Sequence, residues 1–250
     1  LGRSEKTRIT DSVARGLTMV VVGTHAMIQD GVMFRNLGTV IIDEQQRFGV
    51  MQRGDMLSRG ASPHLLMMSA TPIPRTISAC LYGDMDISVI RDRPEGRKKI
   101  ETRLVDFTRI RDLMQFMIDE SAAGGRIYWI CPRVEEDGQN DLVSVEKRHK
   151  FLKKHIGPLG IGSIHGKMDG KLKDAALEKF RSGETKVLVG TTVLEVGVDV
   201  PEASVVVIES PERYGLSQLH QLRGRVGRGG RRGVCLLLVN KTDDGVAERL

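Results

Sequence analysis

The chain has 250 residues, and its 38 Lys and Arg outnumber its 32 Asp and Glu, which gives a net charge of +6. Apolar residues make up 40% and charged residues 28%, which excludes a collagen-like, mucin-like or largely disordered chain. The longest apolar runs, at 17–22 and 234–239, are far shorter than the roughly 18 residues that a membrane helix requires, so we expect no membrane protein. The length predicts two domains of roughly 100 to 150 residues.

The cysteines and the N-terminal residues predict the compartment of the protein and whether the chain is part of a longer one. The three cysteines, at positions 80, 131 and 235, are too far apart to predict a metal site or a disulfide framework. A reducing, cytoplasmic location follows as the simplest expectation. The chain begins with Leu and has no apolar signal segment, so we expect it to be a piece of a longer protein.

Short β-branched runs alternate with helical patterns, which predicts βαβ units and parallel sheets of the α/β class. In the first part of the chain, strands are predicted at 18–23, 39–43 and 65–69. Each of these runs ends in a small or acidic residue, and the carboxyl ends of parallel strands share one edge of the sheet. The residues expected along that edge are Thr24, Asp43, Glu44, Ser69 and Thr71.

A basic stretch with Pro and Gly, at 91–99, interrupts the alternation. We therefore predict a first domain at 1–92, a linker at 93–100 and a second domain at 101–250. Strands of the second domain are predicted at 102–106, 126–131, 162–165, 186–190, 204–209 and 233–239. Helices are predicted from the spacing of Ile110, Leu113, Met114, Met117 and Ile118, from the basic run at 147–154, and from Leu172, Ala176 and Phe180.

The segment 40–46, Val-Ile-Ile-Asp-Glu-Gln-Gln, delivers two adjacent carboxylates to the end of an apolar strand. This is the pattern of a Walker B element, in which an Asp holds Mg²⁺ and a neighbouring Glu orients or deprotonates the attacking water. The alternative is a solvated strand end with no catalytic role. A second apolar strand at 65–68 leads into Ser-Ala-Thr, which predicts hydroxyl groups beside the acidic pair or, alternatively, a plain turn before a helix.

The segment 218–229 carries Arg225 and Arg228 three residues apart, with Gly224 and Gly227 beside them. Glycine permits close backbone approach, so two guanidinium groups can converge on one polyanion, as arginine fingers do on a γ-phosphate. The alternative is a basic turn that contacts the phosphates of a nucleic acid.

The order and spacing of these blocks resemble superfamily 2 helicases. The resembling segments are 43–50, 69–76, 191–201 and 211–228. The resemblance implies two RecA-like lobes of the P-loop NTPase fold that close on ATP, and a parent that is an ATP-dependent DNA helicase. Within the superfamily the blocks are similar to bacterial enzymes that remodel branched DNA, meaning stalled forks and Holliday junctions. Duplex or branched DNA, ATP and Mg²⁺ are the implied partners and cofactors, and a monomer is expected.

The resemblance also implies roles for single residues. Asp43 and Glu44 would serve Mg²⁺ and the hydrolytic water, and Asp43 is the implied metal ligand. The γ-phosphate would be met by Gln221, Arg225 and Arg228. Gly197 and Asp199 would lie near the nucleotide. The residues implied to couple hydrolysis to lobe movement are Gln46, Ser69 and Thr71. The implied contacts to DNA are Thr24, His25, Thr191 and Thr192.

The sequence departs from the helicase pattern in two ways. No Gly-x-x-x-x-Gly-Lys-Thr phosphate loop occurs within 1–42, so we expect an incomplete first lobe and an isolated chain that neither hydrolyses ATP nor unwinds DNA. Gln46 also stands where the similar helicases usually have His, and Gln cannot take up a proton. The rival interpretations are a non-catalytic nucleic-acid-binding module and the motor of a transcription-repair coupling translocase.

Overall fold

The computed structural model of the chain describes residues 2–24, 32–44, 58–60, 62–69, 86–90, 92, 98–132, 138–191 and 200–240. The chain divides into two compact units, Leu1–Met85 and Asp86–Leu250. The segment 93–100 falls within the second unit, and its role as a linker stays a prediction.

The described part of the first unit holds one helix, α1 (Arg3–Ala14), and two strands, β1 (Thr39–Ile42) and β2 (His64–Met67). The strands pair in parallel, with Thr39 opposite His64 and Ile42 opposite Met67. Val40 and Ile42 are buried on one face of this small sheet. Ile41 on the other face is 62% exposed. The alternation is that of a strand with only one covered face.

The strand predicted at 18–23 is wrong. Residues 18–24 are described, and they have no strand pairing. Met19 and Val22 are 96% and 92% exposed. An apolar β-branched run becomes a strand only against a neighbour that pairs with its N–H and C=O groups, and no described strand takes that place.

The second unit carries a six-stranded sheet whose strands are β3 (Glu101–Asp106), β4 (Arg126–Ile130), β5 (Ile161–Ile164), β6 (Val187–Gly190), β7 (Ala203–Glu209) and β8 (Val234–Val239). Its spatial order is β3-β8-β7-β4-β6-β5, and every pairing is parallel. The helices are α2 (Ile110–Ala122), α3 (Gly138–Ile156), α4 (Gly170–Ser182) and α5 (Leu216–Arg223). Short 3₁₀ turns lie at Phe107–Arg109, Gly157–Leu159 and Pro211–Arg213. The predicted parallel α/β class and the six predicted strands of this half are confirmed, with ends within one residue.

Apolar side chains cover both faces of this sheet. Trp129 and Met117 belong to the core on one face, and Tyr128 and Phe180 belong to the core on the other. All five residues of β4 are buried, as expected for a central parallel strand. Leu172, predicted on the buried face of its helix, is 59% exposed, whereas Leu177 and Phe180 of α4 pack against the core.

The parallel arrangement gives the second unit two distinct edges. The carboxyl edge holds the residues that follow the strands, and the amino edge holds those that precede them. Among the described residues, no helix is long and apolar enough to cross a bilayer.

Candidate functional site

The acidic pair lies directly beyond the end of β1. Asp43 is exposed and Glu44 is half-buried. Asp43 Oδ1 accepts a hydrogen bond from the backbone N–H of Glu44 at 2.8 Å, and Glu44 has a left-handed backbone with φ of 52°. That conformation costs a non-glycine residue about 1–2 kcal/mol, and the hydrogen bond from the Asp43 side chain offsets part of it. The bend turns the chain sharply at the point where both carboxylates leave the strand.

The carboxylates of Asp43 and Glu44 could bind an Mg²⁺ ion that a phosphate also binds. Mg²⁺ is usually held by one or two protein carboxylates, with waters and substrate phosphates completing six ligands. The part of the chain that the structure describes holds no group of three or more His, Cys, Asp or Glu side chains placed to bind a metal. Asp43 and Glu44 could therefore hold Mg²⁺ only together with ligands from another molecule, such as a phosphate.

Ser69 lies on the same edge as the acidic pair. The backbone N–H of Met68 donates to the carbonyl of Ile42 at 2.8 Å, so the first residue beyond β2 meets the last residue of β1. Ser69 is exposed, one residue further on. The expected shared edge is thus observed for Asp43, Glu44 and Ser69. Thr24 is exposed at the end of the unpaired segment, where no strand fixes its place on that edge.

Thr191 follows β6 at the carboxyl edge of the second unit. The backbone N–H of Cys131, which follows β4, donates to the carbonyl of Gly190 at 2.7 Å and joins the two strand ends. Thr191 is only 2% exposed. Its side chain therefore offers little surface at this edge, and its assignment to DNA contact stays a prediction.

The arginine turn, which we define as residues 224–233, follows α5. Gln221 lies on α5 and is half-buried, while Leu219 and Leu222 of the same helix pack into the core. Arg225 is half-buried and Arg228 is exposed, and Arg228 Nε donates to the carbonyl of Gly224 at 2.9 Å.

Backbone and side-chain contacts attach the arginine turn to the amino edge of the sheet. The N–H of Gly227 donates to the carbonyl of Ala203, the first residue of β7, at 3.1 Å. Arg231 Nη1 donates to the carbonyl of Ala123, at the end of α2, at 2.8 Å, where a cation also meets the negative end of the helix dipole. Arg232 binds the carboxylate of Glu101, the first residue of β3.

Glu101 was not singled out by the sequence. Hydrogen bonding from Arg103 and the positive charges of Arg103 and Arg232 hold the pKa of this carboxyl below its usual value. The contact joins residues 131 positions apart, so no local pattern indicates it. Arg231 and Arg232 thus make contacts that attach the arginine turn to the sheet.

The structure places the arginine turn and Thr191 on opposite edges of one sheet. The sequence placed five residues of the first unit at the carboxyl ends of strands, and this holds for Asp43, Glu44 and Ser69. It made no such prediction for the arginines. The remaining predicted site residues lie outside the described residues, namely His25, Gln46, Thr71, Thr192, Gly197 and Asp199.

Two family models match the chain and take in both groups of site residues. Residues 1–80 match the DEAD/DEAH box helicase family, and residues 108–230 match the helicase conserved C-terminal domain. Both models describe domains of superfamily 2 helicases, so the chain is a segment of a superfamily 2 helicase.

The chain is 45% identical, over 99% of its length, to the ATP-dependent DNA helicase RecG of Thermotoga maritima, and 48% identical, over 94% of its length, to RecG of Aquifex aeolicus. The chain belongs to the RecG family. It spans 32% and 30% of these two relatives, about a third of their length.

Solved structures agree on the fold. The structure of RecG bound to a three-way DNA junction matches all of this chain and 32% of that one, with 42% identity and a TM-score of 0.71. Dbp5 of S. cerevisiae, bound to RNA and ADP BeF3, matches 88% of this chain and 57% of that one with a TM-score of 0.60, and at 18% identity it shows the fold alone. The expected RecA-like fold is confirmed.

Proposed function

We propose that this chain is part of the motor of an ATP-dependent DNA helicase that remodels branched DNA, such as stalled forks and Holliday junctions. The observation that carries the proposal is the similarity, across the whole chain, to a helicase solved on a three-way DNA junction. The names of the curated relatives support the same activity. The proposed compartment is the cytoplasm, where bacteria such as the sources of these relatives keep their DNA.

The proposed roles in ATP hydrolysis fall on two groups of residues. Asp43 would hold Mg²⁺, which supplies charge neutralisation at the β- and γ-phosphates, and Glu44 would take the proton of the attacking water. Gln221, Arg225 and Arg228 would contact the γ-phosphate, where guanidinium groups stabilise the charge that develops in the transition state. Arg228 is exposed, and Arg225 keeps part of its surface open, so both can reach a ligand.

The remaining assignments also belong to this proposal. Gly197 and Asp199 would lie at the nucleotide. The proposed coupling residues are Gln46, Ser69 and Thr71. The proposed DNA contacts are Thr24, His25, Thr191 and Thr192, and contacts of this kind bind phosphates without reading base sequence.

ATP turnover with and without junction DNA tests the proposal in the full-length gene product. We expect turnover that junction DNA stimulates, and we expect Arg228→Ala to lower it about 10³-fold while DNA affinity changes less than threefold. Arg181→Ala is the matched control, because Arg181 is an exposed arginine on α4 whose nearest ion-pair partner, Glu178, is 4.0 Å away. Wild-type turnover in Arg228→Ala would refute the assignment of the finger.

The isolated 250-residue chain provides a second test. Its sequence has no phosphate loop within 1–42, so we expect no ATP hydrolysis above background, with or without DNA. DNA-stimulated hydrolysis by this chain would contradict that expectation. A full-length product that binds DNA without hydrolysing ATP would instead favour the non-catalytic module, and one that binds RNA polymerase would favour the transcription-repair coupling translocase.

A further inference from the structure

Glu209, the last residue of β7, is the centre of a largely buried polar cluster whose residues have no assigned role at either proposed site. Arg148 Nε of α3 lies 2.5 Å from Glu209 Oε1, and Arg148 Nη2 donates to Glu209 Oε2 at 3.0 Å. The indole N–H of Trp129 on β4 also donates to Glu209 Oε1. Both charged side chains are only 15% exposed.

Aromatic rings enclose the arginine of this pair. Arg148 Cζ lies 5.4 Å, 5.3 Å and 5.0 Å from the ring centroids of Phe107, Trp129 and Phe151. Cation–π contact and a charge-assisted hydrogen bond from Arg148 Nη2 to the Glu209 carboxylate compensate the guanidinium for part of its lost water. A desolvated ion pair adds little net stability compared with an apolar pair of the same size, but removing one of its partners lowers the free energy of unfolding strongly. The pair therefore serves more to fix the geometry of its two side chains than to stabilise the fold.

The cluster lies where β7 turns towards the helix that carries Gln221. Ser210, directly after Glu209, has a left-handed backbone with φ of 49°, and the 3₁₀ turn Pro211–Arg213 follows. The hydroxyl of Tyr214, which is 6% exposed, then donates to the carbonyl of Cys131 at 2.9 Å. The start of α5 is therefore fastened to the strand ends at the carboxyl edge.

Helix α5 joins this edge to the arginine turn at the other edge. Eight residues of helix span about 12 Å, and Leu219 and Leu222 hold α5 against the core along that length. The backbone N–H of Arg225 still bonds the carbonyl of Leu222 at 3.1 Å, so the turn continues from the helix without a break. Helix α5 is therefore a continuous connection between the carboxyl edge and Arg225.

We infer that Glu209, held by Arg148 and Trp129, is a positioning residue that couples DNA binding at the carboxyl edge to the arginines that act on ATP. The inference rests on the proposed function. Contact with DNA at the strand ends beside Thr191 biases the position of the β7 end, and α5 carries that bias to the arginine turn. Loss of the pair leaves both sites intact but weakens the connection between them.

Glu209→Gln in the full-length gene product tests this inference, because Gln keeps the size of the side chain and removes its charge. The measured quantity is the ratio of ATP turnover at saturating junction DNA to turnover without DNA. We expect this ratio to fall roughly 5- to 10-fold, the lower end of the range for allosteric coupling, while turnover without DNA and DNA affinity stay within twofold of wild type. Arg148→Lys, which keeps the charge and loses the planar guanidinium that packs among the aromatic rings, is expected to give an intermediate ratio.

The matched control is Glu202→Gln. Glu202 lies directly before β7, at the amino edge of the sheet, whereas Glu209 is the last residue of β7. Like Glu209, Glu202 pairs with a buried arginine, Arg126, at 2.6 Å. Its variant should keep the wild-type ratio. An unchanged ratio in Glu209→Gln, or an equal loss of stimulated and unstimulated turnover with a lower melting temperature, would overturn the inference. Wild-type protein that DNA does not stimulate would instead refute the proposed function, so the two failures are distinguishable.

Discussion

The arginine turn contains two neighbouring glycines whose replacement by alanine separates steric crowding from backbone strain. At Gly229 an added Cβ would lie 2.4 Å from the carbonyl oxygen and 2.8 Å from the carbonyl carbon of Pro201, which is backbone and cannot rotate away. At Gly230 the backbone is left-handed, with φ of 76°, but nothing lies within 4 Å of an added Cβ. We expect Gly229→Ala to displace the turn and Gly230→Ala to leave it in place.

The magnitudes follow from these distances. Moving the Gly229 contact from 2.4 Å to the shortest ordinary van der Waals separation, about 3.4 Å, requires a shift of about 1.0 Å. Overpacking of this kind costs about 1–3 kcal/mol in free energy of unfolding, and a misplacement near 1 Å at a catalytic group costs about 10²-fold in rate. For Gly230→Ala, left-handed strain of about 1–2 kcal/mol is partly offset by a gain of about 0.4–1 kcal/mol from a less flexible unfolded chain.

Two assays measure the two effects. Urea unfolding of the 250-residue chain, followed by circular dichroism, gives the free energies. ATP turnover of the full-length gene product gives the rates. We expect Gly229→Ala to lose about 10²-fold in turnover and Gly230→Ala to lose less than about threefold. Equal losses in the two variants would refute the argument that Pro201 fixes the arginine turn.

Two further predictions concern the core and the first unit. Burial raises the pKa of the thiols of Cys131 and Cys235, that of Cys235 to about 12. Alkylation of these two cysteines at pH 8 should therefore be limited by the rate of unfolding, which peptide mapping by mass spectrometry can measure. Because the thiol pKa values are raised in the folded state, the contribution of the two neutral thiols to stability is complete below about pH 8.5 and is lost as the pH rises above it. The urea midpoint of the wild-type chain should therefore fall between about pH 8 and pH 10, and it should fall less in a Cys131→Ala, Cys235→Ala double variant. Hydrogen exchange should be slowest in β4, β6 and β7, whose residues are almost all buried, and faster in β1 and β2, which each leave one face exposed; equal protection in the two units would contradict this.

Local pattern was a good guide wherever burial on both faces made it unambiguous. The strands β4, β6, β7 and β8 are mainly apolar and almost entirely buried, as a parallel sheet covered on both faces requires, whereas the outer strands β3 and β5 are more polar and less buried. The run at 18–23 has the same composition but no pairing in the described structure. Composition reports that a segment can be a strand, whereas the neighbour that makes it one lies elsewhere in the chain.

The acidic pair could be predicted because a strand end and its side chains are adjacent in sequence. Cross-sheet contacts could not be predicted in this way. Arg148 and Glu209 are 61 residues apart, and Arg232 and Glu101 are 131 apart, so no local spacing connects them. Both arginines were visible in the sequence only as members of basic runs. Burial against Glu209 distinguishes Arg148 from a solvated charge, whereas the exposed Arg232 is distinguished only by its contact with Glu101.

The sequence by itself determined the α/β class, the strands of the second unit and the chemical types of the candidate site, because periodicity, apolar runs and short motifs are local properties of the chain. Only the tertiary structure decided that the arginine turn lies at the amino edge of the sheet and Thr191 at the carboxyl edge, with α5 between them. The physical reason is that strand order and the long-range contacts of Glu101, Ala123 and Glu209 set these positions, and each depends on the packing of segments that are distant in sequence.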